Sequence, residues 1–197
     1  MEVLPPSPPR SRNGREPKAL FLDRDGTLIE HKPYLADPAE VVLLPGVREA
    51  LVRAQKASIR LFLFTNQSGV GRGLFTLADV EAVNRRMLGL LALGTDLFTA
   101  ICIAPEHPDE PSAYRKPSPR FIEETLALSG IDRDAAWMLG DSAVDWEAGL
   151  KAGIQVAAVV PDARFAKDVE TRIRLGIPAY AGVLNWLEGF SLRSPPR

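Results

Sequence analysis

The sequence is poor in cysteine, in long apolar runs and in charge of one sign. Its 197 residues contain a single cysteine, Cys102, which excludes an intramolecular disulfide framework and a four-cysteine zinc site. No stretch reaches the roughly 18 consecutive apolar residues of a membrane helix, and the N-terminal residues contain no apolar core for a signal peptide. The 24 basic and 25 acidic residues nearly cancel, so no overall basic field favours nucleic acid or an anionic membrane. We therefore expect a soluble protein of the reducing cytoplasm.

The length and composition are typical of one globular domain with a tail at each end. Apolar residues make up 46% of the chain and charged residues 25%, which is enough material for a sizeable core. Residues 1–17 contain five prolines and almost no large apolar side chains, and residues 191–197 are similar. Such segments bury too little surface to offset the entropy lost on ordering. We expect flexible tails at 1–17 and 191–197 and a single domain over 18–190.

Between the tails, short apolar runs alternate with amphipathic stretches. Near-continuous apolar runs of a few residues are typical of strands buried on both faces of a parallel sheet. Strands are predicted at 19–22, 59–64, 98–103, 137–139 and 154–160. Helices are predicted at 45–57, after an N-cap at Thr76, at 117–128 and at 144–152. This alternation predicts an α/β fold, a Rossmann-like doubly wound and mostly parallel sheet with helices on both faces.

The first of four polar clusters is the pair Asp23 and Asp25 in the string FLDRDGTL. Residues two apart on a strand point the same way, so the two carboxylates converge if the extended geometry continues. Two close carboxylates repel each other unless a cation or a proton separates them. The pair therefore indicates a metal site, divided acid and nucleophile roles, or both. The structural alternative is a capping or turn pair that leads into Gly26.

The second cluster is TNQSGVGRG, residues 65–73, which follows an apolar strand. Thr65 and Asn66 offer a hydroxyl and an amide, and the glycines let backbone N–H groups approach an anion closely. The loop is not a P-loop, because no Gly-Lys-Ser/Thr ends it. A plain turn is the structural alternative.

The third cluster is Arg115 and Lys116, and the fourth is Asp141 and Asp145. A lysine can bind a phosphoryl oxygen as a point charge, and an arginine can bind a second anionic group with two hydrogen bonds. The structural alternative for Arg115 and Lys116 is a solvated basic pair. Asp141 is suited to a hard cation, and Asp145 either braces the site or caps a helix. The order of the four clusters, each beside a strand end or a helix start, indicates Mg²⁺-assisted phosphoryl transfer through an aspartyl phosphate.

These strings resemble the four motifs of the haloacid dehalogenase superfamily, here DRDGT, the threonine of TNQSG, the lysine of RKP, and GDSAVD. The resemblance runs from about residue 18 to residue 160. It implies that Asp23 is the nucleophile and Asp25 the general acid and base, and that Thr65 and Lys116 hold the phosphoryl group. It also implies a Mg²⁺ ion bound by Asp23, the backbone carbonyl of Asp25 and Asp141, with Asp145 in support.

Longer strings, HKPYLADPAEVVLLPGV, TNQSGVGRGLFT and RKPSP, are similar to the heptose 1,7-bisphosphate phosphatase family. That resemblance implies that Arg115 and Lys116 meet the substrate and that Asn66 lies near the site. Members commonly carry a structural zinc loop of the form C-x-H…C-x-C just before RKP. Here Cys102 has no second cysteine and His107 is the only nearby histidine. Because a closed structural zinc site needs four ligands, we expect Mg²⁺ and no zinc.

The spacing of the motifs leaves no room for a large cap domain, since only about 42 residues separate Asp23 from Thr65 and one helix uses part of them. We therefore expect an open site in a monomer that acts on a small phosphorylated metabolite, without nucleic-acid or membrane partners. A histidinol-phosphate phosphatase, which shares the chemistry, is one alternative. A nucleic-acid 3′-phosphatase would need a basic, aromatic-lined channel, which the 7% aromatic content and the net charge of −4 over residues 18–190 disfavour. A non-catalytic binding protein on this fold would be expected to have lost Asp23, Asp25 or Lys116.

Overall fold

A computed structural model describes residues 16–162, 167–190 and 192 of the chain. The tails predicted at 1–17 and 191–197 therefore lie largely outside the described residues. The strands are β1 (Ala19–Leu22), β2 (Arg60–Asn66), β3 (Ala100–Ala104), β4 (Ala136–Gly140), β5 (Gln155–Val159) and β6 (Ala179–Tyr180). The helices are α1 (Val47–Lys56), α2 (Leu77–Leu91), α3 (Arg120–Ser129), α4 (Ala143–Lys151), α5 (Val169–Arg174) and α6 (Val183–Leu187). Single 3-10 turns lie at Pro38–Glu40 and Arg133–Ala135.

The six strands form one parallel sheet in the order β3-β2-β1-β4-β5-β6. The chain moves outward from β1 through β2 to β3, then returns to place β4 against the other side of β1. This reversal makes the gap between β1 and β4 the switch point of the sheet, where a crevice opens beyond the carboxyl ends of the strands. The predicted doubly wound parallel sheet is confirmed, and Asp23 and Asp141 follow the two strands at that crevice.

Alternating side chains give the sheet a core on each face. In β1, Leu20 and Leu22 pack in a cluster with residues of α1, α2 and α6, whereas Ala19 and Phe21 pack in a second cluster with residues of α3 and α4. The rings of Phe21 and its neighbour Phe62 are stacked, with centroids 4.8 Å apart. Each fully buried side chain of this size contributes roughly 1.5–3 kcal/mol, so burial on both faces stabilises the strand ends that carry the polar residues.

Two boundaries differ from the prediction in ways that affect the site. Strand β2 continues to Asn66, so Thr65 and Asn66 belong to the strand rather than follow it. Helix α3 begins at Arg120 and not at residue 117. Proline disfavours helical backbone in the residue before it, and Pro117 and Pro119 therefore keep residues 115–118 in a turn.

The short C-terminal elements α5, β6 and α6 were missed in the sequence, because two to six residues are too few to show a periodicity. The absence of a large cap domain is confirmed for residues 23–116, all of which the structure describes. One 3-10 turn and α1 lie between β1 and β2, and only α2 lies between β2 and β3. In the described part of the chain, no helix combines the length and apolar character needed to cross a bilayer.

Candidate active site

Three carboxylates meet at the crevice between β1 and β4. Each of Asp23, Asp141 and Asp145 has a carboxylate oxygen within 4.8 Å of the other two. Asp23 continues the ladder between the two strands, since its backbone N–H donates to the Leu139 carbonyl at 3.0 Å. Asp23 and Asp145 are buried, and Asp141 is partly exposed. The fold therefore gathers acids from two strand ends and one helix.

Lys116 is the cation of this cluster. Its ammonium lies 2.6 Å from Oδ1 of Asp23 and 2.6 Å from Oδ1 of Asp145, and it donates to the Phe64 carbonyl at 2.7 Å. These three partners match the three donors of a lysine ammonium. Burial by itself would lower the pKa of Lys116, but the carboxylates of Asp145 and Asp23 outweigh it and raise the pKa above its usual range. Lys116 is therefore a permanent positive charge.

The carboxylates exceed the positive charge that faces them. Burial raises the pKa of Asp23 well above its ordinary range against the opposing effect of Lys116, and Asp145, Asp141 and Asp25 act in the same direction as burial. Burial also raises the pKa of Asp141, which the Lys167 ammonium partly offsets from 2.8 Å away. A cluster of hard oxygen donors with unbalanced negative charge suits a divalent cation such as Mg²⁺, so the residues present fit the ion.

Asp145 also begins helix α4. Its Oδ2 accepts hydrogen bonds from the backbone N–H (3.1 Å) and the hydroxyl (2.6 Å) of Ser142, which closes a capping box. A Cβ on Gly140 would lie 2.3 Å from Cγ of Asp145, so only glycine at the end of β4 lets this carboxylate approach. Asp145 thus contacts both the start of α4 and the Lys116 ammonium.

Asn66 holds the loop that carries Lys116. Its side-chain amide donates to the Lys116 carbonyl at 3.0 Å, and its Oδ1 accepts from the Lys116 backbone N–H at 3.0 Å. Lys116 is the twelfth residue after the end of β3. This pair of bonds attaches it to the end of β2. Arg115 lies beside it, half-buried, and its guanidinium donates to the Glu106 carbonyl at 3.4 Å.

Asp25 does not share partners with Asp23. Strand β1 ends at Leu22, and residues 24–29 turn back on themselves, so the extended geometry that would align the two carboxylates stops. Gly26 has φ +86°, and a Cβ there would lie 2.4 Å from Oδ2 of Asp141. The turn brings the Asp25 carboxylate to Gln67, whose side-chain amide donates to Oδ2 of Asp25 at 2.9 Å and to the Thr65 hydroxyl at 2.8 Å.

Two cavities are lined by residues of the site. One of about 160 Å³ is lined by Asp25, Asn66 and Gln67 together with residues of the loop after β1. The other, of about 590 Å³, is lined by Gly26, Asp141 and Lys167 among others. Both open to the surface, as the absence of a cap domain over residues 23–116 requires.

The loop expected to lack zinc has other contacts. Cys102 is a buried residue of β3, as predicted, and burial raises the pKa of its thiol to about 11. His107 lies in the following loop, where its ring nitrogen accepts from the Asp109 backbone N–H at 3.2 Å. Within the described ranges, the one group of three or more candidate metal-binding side chains is Asp23, Asp141 and Asp145.

The sequence analysis missed three residues of the site. Arg24 contacts Asp25, Lys167 contacts Asp141, and Gln67 joins Thr65 to Asp25. The position of Arg24 between Asp23 and Asp25 was a signal that it could pair with one of these acids. Nothing in the sequence points to Lys167, which lies in a loop 26 residues from its partner.

The chain is similar to known phosphatases over most of its length. A model of the family described as haloacid dehalogenase-like hydrolase matches residues 79–159. The D-glycero-D-manno-heptose-1,7-bisphosphate 7-phosphatase of Chlorobaculum tepidum is 37% identical over 155 residues, covering 72% of this chain and 78% of that protein. The D-glycero-beta-D-manno-heptose-1,7-bisphosphate 7-phosphatase of Pseudomonas aeruginosa is 32% identical over 166 residues, covering 84% and 89%.

A solved structure agrees with this likeness. The crystal structure of the D,D-heptose 1,7-bisphosphate phosphatase from B. bronchiseptica, complexed with magnesium and phosphate, superposes with a TM-score of 0.75 at 28% identity. The match covers 87% of this chain and 96% of that one. The fold, the acidic cluster and the relatives agree, and the chain therefore belongs to the haloacid dehalogenase-like hydrolases and is a phosphatase of the same family as these relatives.

Proposed function

We propose that this phosphatase removes the 7-phosphate of D-glycero-D-manno-heptose 1,7-bisphosphate through a phosphoaspartate formed on Asp23. The observation that carries the proposal is the Lys116 ammonium, which is held 2.6 Å from both Asp23 and Asp145 in the buried acidic cluster. A carboxylate beside a fixed cation and hard metal ligands is suited to attack a phosphoryl group whose own charge must be neutralised.

In the first step, a carboxylate oxygen of Asp23 attacks phosphorus, and the bond from phosphorus to the sugar oxygen breaks. Asp25 gives its proton to that oxygen, which leaves as an alcohol. Lys116 and the Thr65 hydroxyl bind the phosphoryl oxygens. Asp23, Asp141 and the backbone carbonyl of Asp25 would hold a Mg²⁺ ion, which would supply further positive charge to the phosphoryl oxygens.

In the second step, water attacks the phosphorus of the phosphoaspartate and gives a proton to the Asp25 carboxylate. The acyl phosphate bond breaks, inorganic phosphate leaves, and Asp23 is again a free carboxylate. Lys116 stays in place when its third N–H turns from Asp23 to a phosphoryl oxygen, because Asp145 and the Phe64 carbonyl hold the ammonium independently of substrate.

The proposed substrate has a second phosphate, and we propose that two arginines bind it. Arg115 adjoins Lys116. Burial lowers the pKa of the Arg115 guanidinium, the Glu106 carboxylate raises it, and the nearby positive charge of Arg72 lowers it further. Two neighbouring guanidinium groups repel each other, and a dianion between them removes that repulsion. Both similar proteins from C. tepidum and P. aeruginosa are named for the same bisphosphate.

We also propose that Mg²⁺ is the working metal, that the chain carries no zinc, and that it acts as a cytoplasmic monomer without a nucleic-acid partner. The single cysteine of the chain, which is buried, supports the absence of zinc, because a closed structural zinc site needs four ligands. The mild acidity of the chain supports a small-molecule substrate over a polyanion.

A substrate panel tests the proposal. Phosphate release is measured with the heptose 1,7-bisphosphate, histidinol phosphate, p-nitrophenyl phosphate and an oligonucleotide 3′-phosphate, with Asp23→Asn as the control for contaminating phosphatase. We expect the highest kcat/KM on the bisphosphate and none above background for Asp23→Asn, since an amide is a poor nucleophile. A preference for histidinol phosphate would overturn the substrate assignment and leave the mechanism standing. Turnover by Asp23→Asn would overturn the mechanism.

A further inference from the structure

Arg24 is a buried cation with no role in the chemistry described above. It lies inside the DRDGT motif and is 1% exposed. A buried charge is costly unless it is paired and hydrogen-bonded, so the partners of Arg24 indicate why the chain keeps it there.

The guanidinium grips the carboxylate of its neighbour. Nε of Arg24 donates to Oδ2 of Asp25 at 3.0 Å, and Nη2 donates to Oδ1 at 3.3 Å. This two-bond arrangement fixes both the position and the plane of the carboxylate, which a single contact does not. Gln67 adds a third bond, to Oδ2 at 2.9 Å.

The other end of the guanidinium is attached to helix α2. Nη1 of Arg24 donates to Oδ1 of Asn84 at 3.0 Å. Asn84 is 4% exposed and is a polar residue on the buried face of α2, beside the apolar Val80, Val83 and Met87. The hydrogen bond to Arg24 gives this buried amide a partner, so α2 holds Arg24 and Arg24 holds Asp25.

We propose that Arg24 is a positioning residue, which acts through Asp25 by fixing the carboxyl group that protonates the leaving oxygen in its acid form, and that Asn84 fixes Arg24. The inference rests on the proposed role of Asp25. Proton transfer demands a defined distance and direction, and the carboxylate of a free aspartate rotates. The cost of losing Arg24 therefore depends on how much the leaving group needs a proton.

Leaving-group dependence separates this role from a purely structural one. A sugar alkoxide needs protonation as it leaves, whereas p-nitrophenolate leaves without it. Because kcat/KM reports steps only up to leaving-group departure, the second step, in which Asp25 acts as base, does not enter it. For Arg24→Met we expect kcat/KM on the heptose bisphosphate to fall by about 10²-fold or more, the usual contribution of a general acid. The fall on p-nitrophenyl phosphate is much smaller, and Arg24→Lys restores part of the loss.

Two controls complete the experiment. Arg86→Met removes an exposed arginine of the same helix as Asn84 and leaves both values of kcat/KM unchanged. In an Asp25→Asn background, Arg24→Met adds no further loss on the bisphosphate, because both changes remove one function. Thermal melting of every variant checks folding. If Arg24→Met is unfolded, the near-isosteric Asn84→Leu is tested instead. We expect it to lower kcat/KM more on the heptose bisphosphate than on p-nitrophenyl phosphate, by a smaller factor than Arg24→Met.

Equal losses on the two substrates would overturn the inference, and so would a loss that adds to that of Asp25→Asn. These outcomes would make Arg24 a structural residue only. An inactive wild type, or an Asp25→Asn variant as active as wild type, would instead overturn the proposed function on which the inference rests.

Discussion

The Lys116 ammonium lies 2.6 Å from Oδ1 of Asp145, whose other oxygen caps helix α4. One carboxylate therefore links the cation of the site to the start of the helix that follows β4. Because Asp145 is 1% exposed, neither its ion pair nor its cap bonds are replaced by water. The stability of this part of the fold and the position of Lys116 depend on the same group.

Replacing Lys116 tests how strongly the cluster depends on its cation. In Lys116→Met, Asp23 and Asp145 stay buried without their partner. We expect loss of phosphatase activity and a free energy of unfolding lower by about 3–5 kcal/mol, the usual cost of breaking a buried pair from one side. Urea unfolding in the presence of a chelator measures this free energy of unfolding. Lys151→Met, which removes an exposed pair with Glu147, is the matched control, and equal midpoints for both variants would contradict the prediction.

Ser142→Ala tests the double use of Asp145. The change removes the hydroxyl bond to Asp145, and we expect it to lower the free energy of unfolding by about 0.5–2 kcal/mol, as for other N-caps. Thr76→Ala removes the corresponding cap of α2 and is expected to cost a similar amount. Only Ser142→Ala should also lower kcat, because only this cap orients the partner of Lys116. The prediction fails if the two variants have the same kcat.

We predict that the protein needs Mg²⁺ and holds no zinc. Activity should require Mg²⁺ and disappear with a chelator, since the cluster of Asp23, Asp141 and Asp145 offers hard oxygen ligands and no soft ones. Calorimetric titration with Mg²⁺ should show binding to wild type and weaker binding to Asp141→Asn. Full activity in metal-free buffer would refute the mechanism. Elemental analysis that found stoichiometric zinc would refute our interpretation of the loop after Cys102.

Arg115→Ala tests the second phosphate. A charge-assisted hydrogen bond is worth roughly 1.5–3 kcal/mol, or about tenfold to a hundredfold in kcat/KM. We expect a loss of that size on the heptose bisphosphate and a much smaller one on p-nitrophenyl phosphate, which has no second phosphate. Steady-state kinetics give kcat/KM on both substrates for Arg115→Ala and, for comparison, for Arg72→Ala. Equal losses would place Arg115 in binding of the transferred phosphoryl group.

The Cys102 thiol should be slow to alkylate in the folded protein. Burial raises its pKa to about 11 from an ordinary value of 9.0, so the thiolate fraction at neutral pH falls about a hundredfold. Iodoacetamide at pH 8, followed by mass spectrometry, should label the protein rapidly in urea and slowly without it, and raising the pH should speed labelling of the folded form. Rapid labelling of the folded protein at pH 8 would show that the thiol is exposed.

Much of the fold and of the candidate site was predictable because the relevant signals are local. Apolar runs such as 19–22 are buried on both faces of a parallel sheet, and polar residues that follow them, such as Asp23 and Asp141, must meet at one edge. Thr76 is the N-cap of α2, as predicted, and it forms a capping box with Asp79, only three residues away. By contrast, the prediction that α3 begins at Pro117 is wrong, because Pro119 disfavours helical backbone in the residue before it and the helix begins only at Arg120.

The sequence by itself determined the layered α/β architecture and which residue types stand at the strand ends, since both follow from periodicity and from the order of motifs along the chain. Only the tertiary structure decided which of those residues touch. Arg24 meets Asn84 across 60 residues, and Lys116 meets Asp23 across 93. Such pairs are brought together by the packing of α2 on the sheet and by the turn before α3. Packing depends on contacts between distant segments, which no local pattern in the sequence records.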